Sequence, residues 1–218
     1  MAFGAKKKSA AVVRCRTMPV DAGARTSATR GRPVATSHDA IERAAFALFH
    51  QHGFEATTME AIAQAAGVSK RTIFRYFPSK NDIPWGQFGR TLDEFRAVLA
   101  AVTEDVPVHE AVHHGVLAFN RFPADAQPSH RERMRLILTT PELQAHSVHQ
   151  YADWRAVIAD YVAQRLQLMP SDLLPQTVGH VSLALAVAAY HAWLDDPDAE
   201  LLSLLDEAMT GLREYLVL

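Results

Sequence analysis

Cysteine is almost missing from this chain: Cys15 is the single one in 218 residues. An internal disulfide and a cysteine-rich metal site are therefore excluded. Long apolar stretches are missing too. The longest near-apolar run, Val181–Ala189, is too short to cross a bilayer and contains Ser182. Lys6, Lys7 and Lys8 stand near the start, but no apolar block follows that would complete a secretory signal. A cytoplasmic protein with no membrane partner is expected. Glycine-rich phosphate loops, dinucleotide fingerprints, nucleophile elbows and zinc-hydrolase helices do not occur either. No catalytic residue is assigned, no cofactor is expected, and the chain is not read as an enzyme.

Net charge is also scarce, at −2, and the total hides a division. Residues 1–90 carry 14 Lys and Arg against 6 Asp and Glu, whereas residues 91–218 carry 8 against 18. A basic module suited to a polyanion is thus joined to an acidic body. A basic tail on an unrelated enzyme would give the same asymmetry, so motifs must decide.

Residues 1–37 lack helical or strand periodicity and are rich in Ala, Ser, Thr, Gly, Lys and Arg, the composition of a mobile arm. Met18 is an alternative start within it. From Ser37 onward the pattern is helical. Ile41, Ala44, Ala45, Leu48 and Phe49 recur at helical spacing, and Gly53 stops that helix. Thr57, with Glu60 three residues on, reads as a capping box opening a second helix. Gly67-Val68-Ser69 interrupts it, and Ser69 caps a short third helix reaching Tyr76. Pro78 ends the third, and Ser79 with Asp82 begins a fourth, which Pro84 is expected to kink. Further helices are predicted over 107–121, 129–139, 141–168, 176–195 and 198–216, with prolines at most joints. No stretch alternates like a strand and no repeat is present. The expected fold class is all-α.

Two short helices joined by a glycine-containing turn form a helix-turn-helix. Ala63 is small where the helices would cross, Gly67 makes the turn, and Ile73 plugs the second helix into the core. That helix begins Ser69-Lys70-Arg71-Thr72, placing side chains where a major-groove reader meets base edges, with Arg75 one turn further on. Lys80 lies at the start of helix four, beside backbone N–H groups that favour a phosphate. Arg30 and Arg32, just before helix one, are candidates for the minor groove. An ordinary helical hairpin with a solvated basic face is the plain alternative. The joint presence of turn, small crossing residue, basic second helix and basic arm weighs against it.

Residues 38–82, with the run FHQHGFEATTMEAIAQAAGVSKRTIFRYFPSKNDI (residues 49–83), closely resemble the DNA-binding domain of the TetR family of one-component regulators. The later segments PSKNDIPW, NRFPAD, HRERMRLIL, LQAHS and LLPQTVGH resemble more narrowly the regulators associated with mycofactocin gene clusters of actinobacteria. The resemblance implies a homodimer on a palindromic double-stranded DNA operator, with repression as the usual outcome. It also implies a helix-turn-helix domain at 38–84 and a helical effector-binding and dimerisation domain at 85–218. Lys70, Arg71, Thr72 and Tyr76 would then face the groove, while Thr58, Tyr76 and Lys80 approach phosphates. Arg71 stands where the family often has glycine, and Arg75 where tyrosine or histidine is usual, so operator sequences of relatives cannot be carried over.

The apolar faces of 176–195 and 198–216 either pack internally or meet a second subunit; the resemblance favours the dimer. Candidate lining for an effector pocket is Trp85, Phe88, Phe119, Phe122, Met134, Tyr151, Trp154 and Tyr161, although aromatic residues at helical spacing are more often plain core. A hydrophobic small molecule is the expected effector class, with long-chain acyl-CoA first among candidates and Arg131, Arg133 and Arg135 available for its phosphates. The acidity of residues 91–218 counts against so anionic a ligand. His109 with His113, and His146 with His149, are spaced one helical turn apart, but no carboxylate or thiol framework accompanies them and no metal is expected. A helical ligand-binding protein with an incidental hairpin, or a nonspecific DNA-packaging protein, are the other readings. The acidic body disfavours the second.

Overall fold

A computed structural model describes residues 38–217. Among them are nine α-helices and one short 3₁₀ segment, and no strand. The first three helices are short: α1 (His38–His52), α2 (Met59–Ala65) and α3 (Lys70–Tyr76). A 3₁₀ segment, Lys80–Trp85, leads to α4 (Phe88–Ala100), α5 (Val108–Phe119), α6 (His130–Thr139) and α7 (Pro141–Leu166). The chain closes with α8 (Leu173–Asp195) and α9 (Leu201–Tyr215).

Two cores organise these elements. The smaller gathers Ile41, Ala45, Phe49, Phe54, Ile62, Ala63, Ile73 and Phe77, so each of the first three helices inserts its apolar stripe between the other two. Leu143, from α7, is also fully buried in this cluster. The larger core joins α4 to α9 around Phe95, Leu99, Val116, Trp154, Ile158, Tyr190 and Leu205. Among the helix pairs, α7 with α8 and α8 with α9 are the most extensively packed.

Local chemistry departs from sequence expectation at three joints. The α2 cap is Thr58, whose hydroxyl accepts from Ala61 N at 3.1 Å, not Thr57. Thr57 is buried and donates to Gly53 O at 2.8 Å, holding the α1–α2 turn instead. The second departure is in the fourth helix, where the kink expected at Pro84 is a full break. Ser79 and Asp82 do form a capping box, but it opens a 3₁₀ turn that ends at Gly86 (φ +57°, ψ −130°) before α4 begins. Third, α8 starts at Leu173 with Pro175 inside its first turn. The missing N–H costs nothing there, because the first N–H groups of a helix have no intrahelical partner. By length and composition α8 could cross a membrane. In this fold one face of it is packed on α7 and α9 and includes the buried Ser182.

Gly86 is required twice over. Its dihedral angles suit glycine alone, and a Cβ there would lie 3.1 Å from the Glu42 carboxylate and 3.2 Å from Arg133 Nη1. Gly86→Ala is expected to lower the unfolding free energy by about 2 kcal/mol, measured as a fall in denaturant midpoint at unchanged slope.

Candidate nucleic-acid interface and effector cavity

The α2–α3 turn is built by Gly67, whose φ of +67° is open to glycine at no cost. Val68 N returns to Ala63 O at 2.9 Å, and Ser69 Oγ accepts from Thr72 N at 3.1 Å, capping α3. Ile73 and Phe77 are buried beneath it. The helix is thereby held on the core by one face and capped at its start. Its outer face presents Lys70, Arg71, Phe74 and Arg75 to solvent, with Ser69 at the entrance.

The remaining candidates sit around this row. Thr72 is half-buried, its hydroxyl 2.8 Å from that of Ser69. Tyr76 turns its ring edge against His38 of α1, with centroids 4.8 Å apart, and the Arg75 guanidinium lies 5.4 Å from the Tyr76 ring. Lys70 forms an exposed ion pair with Glu60 of α2, and this hydrogen bond holds the Glu60 carboxyl below its ordinary range. Lys80 does more than face solvent. Its Nζ donates to Phe54 O at 2.8 Å and Glu55 O at 3.3 Å, and sits 4.3 Å from the Phe54 ring, bracing the α1–α2 turn. Arg30 and Arg32 lie outside the described residues. Residues 38–90 carry 6 Lys and Arg against 5 Asp and Glu, so most of the basic excess of the first 90 residues belongs to 1–37. Sequence reasoning passed over Phe74, which is 40% exposed. Its signal was its place: an apolar residue three positions after Arg71, on the outward row.

A second site opens where the 3₁₀ segment meets the body. One cavity of about 260 Å³ is lined by Trp85, Phe88, Phe119, Phe122, Met134, Tyr151 and Trp154, together with Glu42, Asn120, His130, Arg133 and Tyr190. Among the sequence-selected pocket residues, Tyr161 is not in this lining. Its hydroxyl accepts from Arg165, which also donates to the carbonyls of Glu104 and Val106 and ties the α4–α5 loop to α7. The three arginines of α6 do not form an anion cluster. Arg131 donates to the carbonyls of Trp193 and Asp196, and Arg135 to that of Leu194, so both close the C-terminus of α8. Arg133 alone of the three lines the cavity.

The polar end of the cavity is internally satisfied. Tyr190 Oη donates to Asn120 Oδ1 at 2.5 Å, Asn120 Nδ2 donates to Val116 O at 2.8 Å, and His130 Nε2 lies 2.8 Å from Tyr190 Oη. Because the tyrosine proton is committed to Asn120, His130 Nε2 is the donor to the tyrosine oxygen. Burial, with the Arg133 charge second, lowers the His130 pKa to about 3, so the ring is neutral. Burial also pushes the hydroxyls of Tyr190 and Tyr151 upward. The paired histidines of the sequence serve separate contacts: His146 Nε2 meets Asp82 Oδ1 at 2.9 Å and His113 Nε2 meets Asp206 Oδ1 at 2.9 Å. Among the described residues no group of three or more His, Cys, Asp or Glu converges on one point.

Known proteins share both halves of this arrangement. The family profile for bacterial regulatory proteins of the tetR family matches residues 41–83, and the MftR C-terminal domain matches residues 106–217. The chain is 42% identical over 178 residues to a protein of Mycobacterium tuberculosis named as the mycofactocin biosynthesis transcriptional regulator MftR, covering 82% of this chain and 90% of that one. It is 27% identical over 197 residues to the HTH-type transcriptional regulator TcmR of Streptomyces glaucescens, covering 86% and 87%. Two solved structures share the fold. The fatty acid degradation regulator FadR of Bacillus halodurans has a TM-score of 0.59 at 20% identity, covering 80% of this chain and 96% of that one. The Thermus thermophilus FadR in complex with lauroyl-CoA has a TM-score of 0.52 at 22% identity, covering 82% and 94%. The chain belongs to the TetR family of transcriptional regulators and is not an enzyme. Members bind operator DNA and small-molecule ligands and function as dimers.

The buried histidine has a thermodynamic consequence. An unfolded His130 gains its proton near pH 6.5 while the folded one resists down to about pH 3. The unfolded state therefore binds more protons in that window, and stability falls as pH is lowered through it, by up to about 1.4 kcal/mol per unit. His130→Gln is expected to flatten the slope of unfolding free energy against pH by roughly one proton, measured by denaturant titration between pH 4 and pH 6.5.

Proposed function

We propose that this protein is a repressor that sits as a homodimer on a palindromic operator, works in the cytoplasm, and leaves the DNA when an apolar effector fills the cavity. The carrying observation is the outward row of α3, in which Arg71, Phe74 and Arg75 project from a helix pinned by Ile73 and capped by Ser69. A rod so held can enter a major groove without first paying for its own ordering. Arginine there reads guanine edges and an exposed phenyl ring suits a thymine methyl. Thr58, Lys70, Thr72, Tyr76 and Lys80 flank that row as candidate groove and phosphate contacts, and Arg30 and Arg32 as minor-groove contacts in a basic arm over 1–37.

On this reading residues 38–84 read DNA and residues 85–218 hold the effector and the partner subunit; the separate cores around Ile62 and Phe95 support the division, which Leu143 of α7 crosses. Exposed small and apolar residues run along α8 (Val181, Ala184, Ala188) and α9 (Gly211, Tyr215), a surface on which a second copy can approach closely. The effector is a hydrophobic molecule for which Trp85, Phe88, Phe119, Phe122, Met134, Tyr151 and Trp154 are the candidate contacts. Long-chain acyl-CoA is the first candidate, supported by the lauroyl-CoA bound to the Thermus FadR. With Arg131 and Arg135 spent on carbonyls, its phosphates would have to lie outside the apolar lining. Similarity to the MftR protein supports mycofactocin genes as the regulated set.

Footprinting on the intergenic DNA upstream of the gene is expected to reveal a two-fold symmetric site. Arg71→Ala should cost about 1–3 kcal/mol of discrimination between that site and scrambled duplex, read by competition gel shift. Unchanged discrimination removes Arg71 as a reader; no preference in the parent protein removes the regulator reading altogether. Sedimentation should give a dimer at micromolar protein, and Ala184→Glu with Ala188→Glu should shift it to monomer.

A further inference from the structure

Glu42 of α1 is only 6% exposed, and its carboxylate is paired with Arg133 Nη2 at 2.5 Å. Arg133 Nη1 donates to Pro84 O at 2.6 Å, so one guanidinium on α6 ties both α1 and the 3₁₀ segment to the body. Trp85, next in the chain to Pro84, has its Nε1 buried and without a hydrogen-bond partner. Glu42, Arg133 and Trp85 all line the effector cavity. An indole N–H and a guanidinium donate and never accept. A buried donor left unpaired keeps its full desolvation cost. These two donors favour a ligand atom that accepts hydrogen bonds, Arg133 directly and Trp85 Nε1 once its ring turns toward the cavity, while the aromatic remainder of the lining favours an apolar body.

Resting on the reading that this cavity takes the effector, we propose that the effector places an acyl oxygen, of a carboxylate or a thioester, against Trp85 Nε1 and the Arg133 guanidinium. It then competes with Glu42 for Arg133 and loosens α1 from α6. A buried charge that loses its partner is strongly unfavourable, so the Glu42 carboxylate must take up a proton or move toward water. Either response frees α1, the helix whose Ile41 and Ala45 support the reading helices. The other polar tie, His146 to Asp82, is outside the cavity lining and remains in place. The signal is thus a change of angle about a retained contact rather than separation of the two cores.

The test uses the full chain, a fluorescent fragment of its own upstream DNA, and three probes with the same alkyl chain below micelle formation: dodecanoate, dodecanoyl-CoA and dodecylammonium. Tryptophan emission reports binding, because Trp85 and Trp154 line the cavity; anisotropy reports DNA release. At least one acyl probe should bind and weaken DNA affinity about tenfold or more, whereas dodecylammonium, which only donates, should not. The acyl probe that acts identifies the source, free acid or thioester. Trp85→Phe should weaken acyl binding about tenfold. Glu42→Gln should bind the acyl probe more tightly yet transmit less of it to DNA, opposite changes that a general loss of stability does not produce. Glu42→Gln with Arg133→Gln replaces the ion pair by two neutral amides; its thermal midpoint checks folding, and its DNA affinity should no longer respond to probe. The inference is overturned if neither acyl probe binds, if dodecylammonium acts like them, or if Glu42→Gln leaves both affinity and response unaltered. Loss of operator preference without any probe would instead defeat the regulator reading, and the tryptophan-emission arms still decide this one.

Discussion

At the joint between the DNA-reading helices and the body lies the Glu42–Arg133 ion pair, its carboxylate buried and its guanidinium largely so. Taking two charges out of water costs several kcal/mol each, and only close pairing with further hydrogen bonds offsets that cost. Arg133 supplies them: one nitrogen serves the Glu42 carboxylate and another the Pro84 carbonyl. Gly86 turns beside the pair in a conformation that leaves room for it, and Leu143 of α7 fills the reading-domain core from the other side. The contact is apolar where it needs area and ionic where it needs a single geometry.

Several side chains that look available for a ligand in a sequence are used to hold the fold. Lys80 braces the α1–α2 turn through two carbonyls, Arg131 and Arg135 close the end of α8, and Arg165 ties a loop to α7. Basic residues near helix ends do this because the last carbonyls of a helix, or of a turn, have no backbone donor to meet. Beyond Lys70, which is paired with Glu60, what remains outward on α3 is a short row of two arginines and a phenylalanine, compact enough to fit between phosphate walls. The MftR-type C-terminal domain sets behind it a cavity dressed with rings, whose only unpaired buried indole N–H belongs, among the described residues, to the segment connecting the two parts.

The helix-turn-helix was legible in advance because its signals are local. Gly67, Ser69 and the apolar spacing of Ile62, Ala63 and Ile73 act within a few residues, and each has one inexpensive conformational answer. The break at Gly86 was not legible: Pro84 is compatible with a kink or a stop, and the choice is made by Glu42 and Arg133, which are 44 and 47 residues away in sequence. The cap at Thr58 rather than Thr57 was hidden for a similar reason. Both hydroxyls are equivalent in a sequence, and Thr57 is claimed by the Gly53 carbonyl of the preceding turn.

Sequence alone determined an all-helical chain, the position of the reading helix, its turn and its cap, and the family, since these rest on periodicity and on residues with few allowed conformations. Tertiary structure alone decided which charges are free and which are spent. It brought Trp85, Phe119 and Trp154 to one cavity while leaving Tyr161 with Arg165, and it joined Glu42 to Arg133 across 91 residues. The reason is physical: a side chain's partner depends on which helices cross where, and crossing geometry is set by the packing of whole apolar faces rather than by any residue's neighbours in the chain.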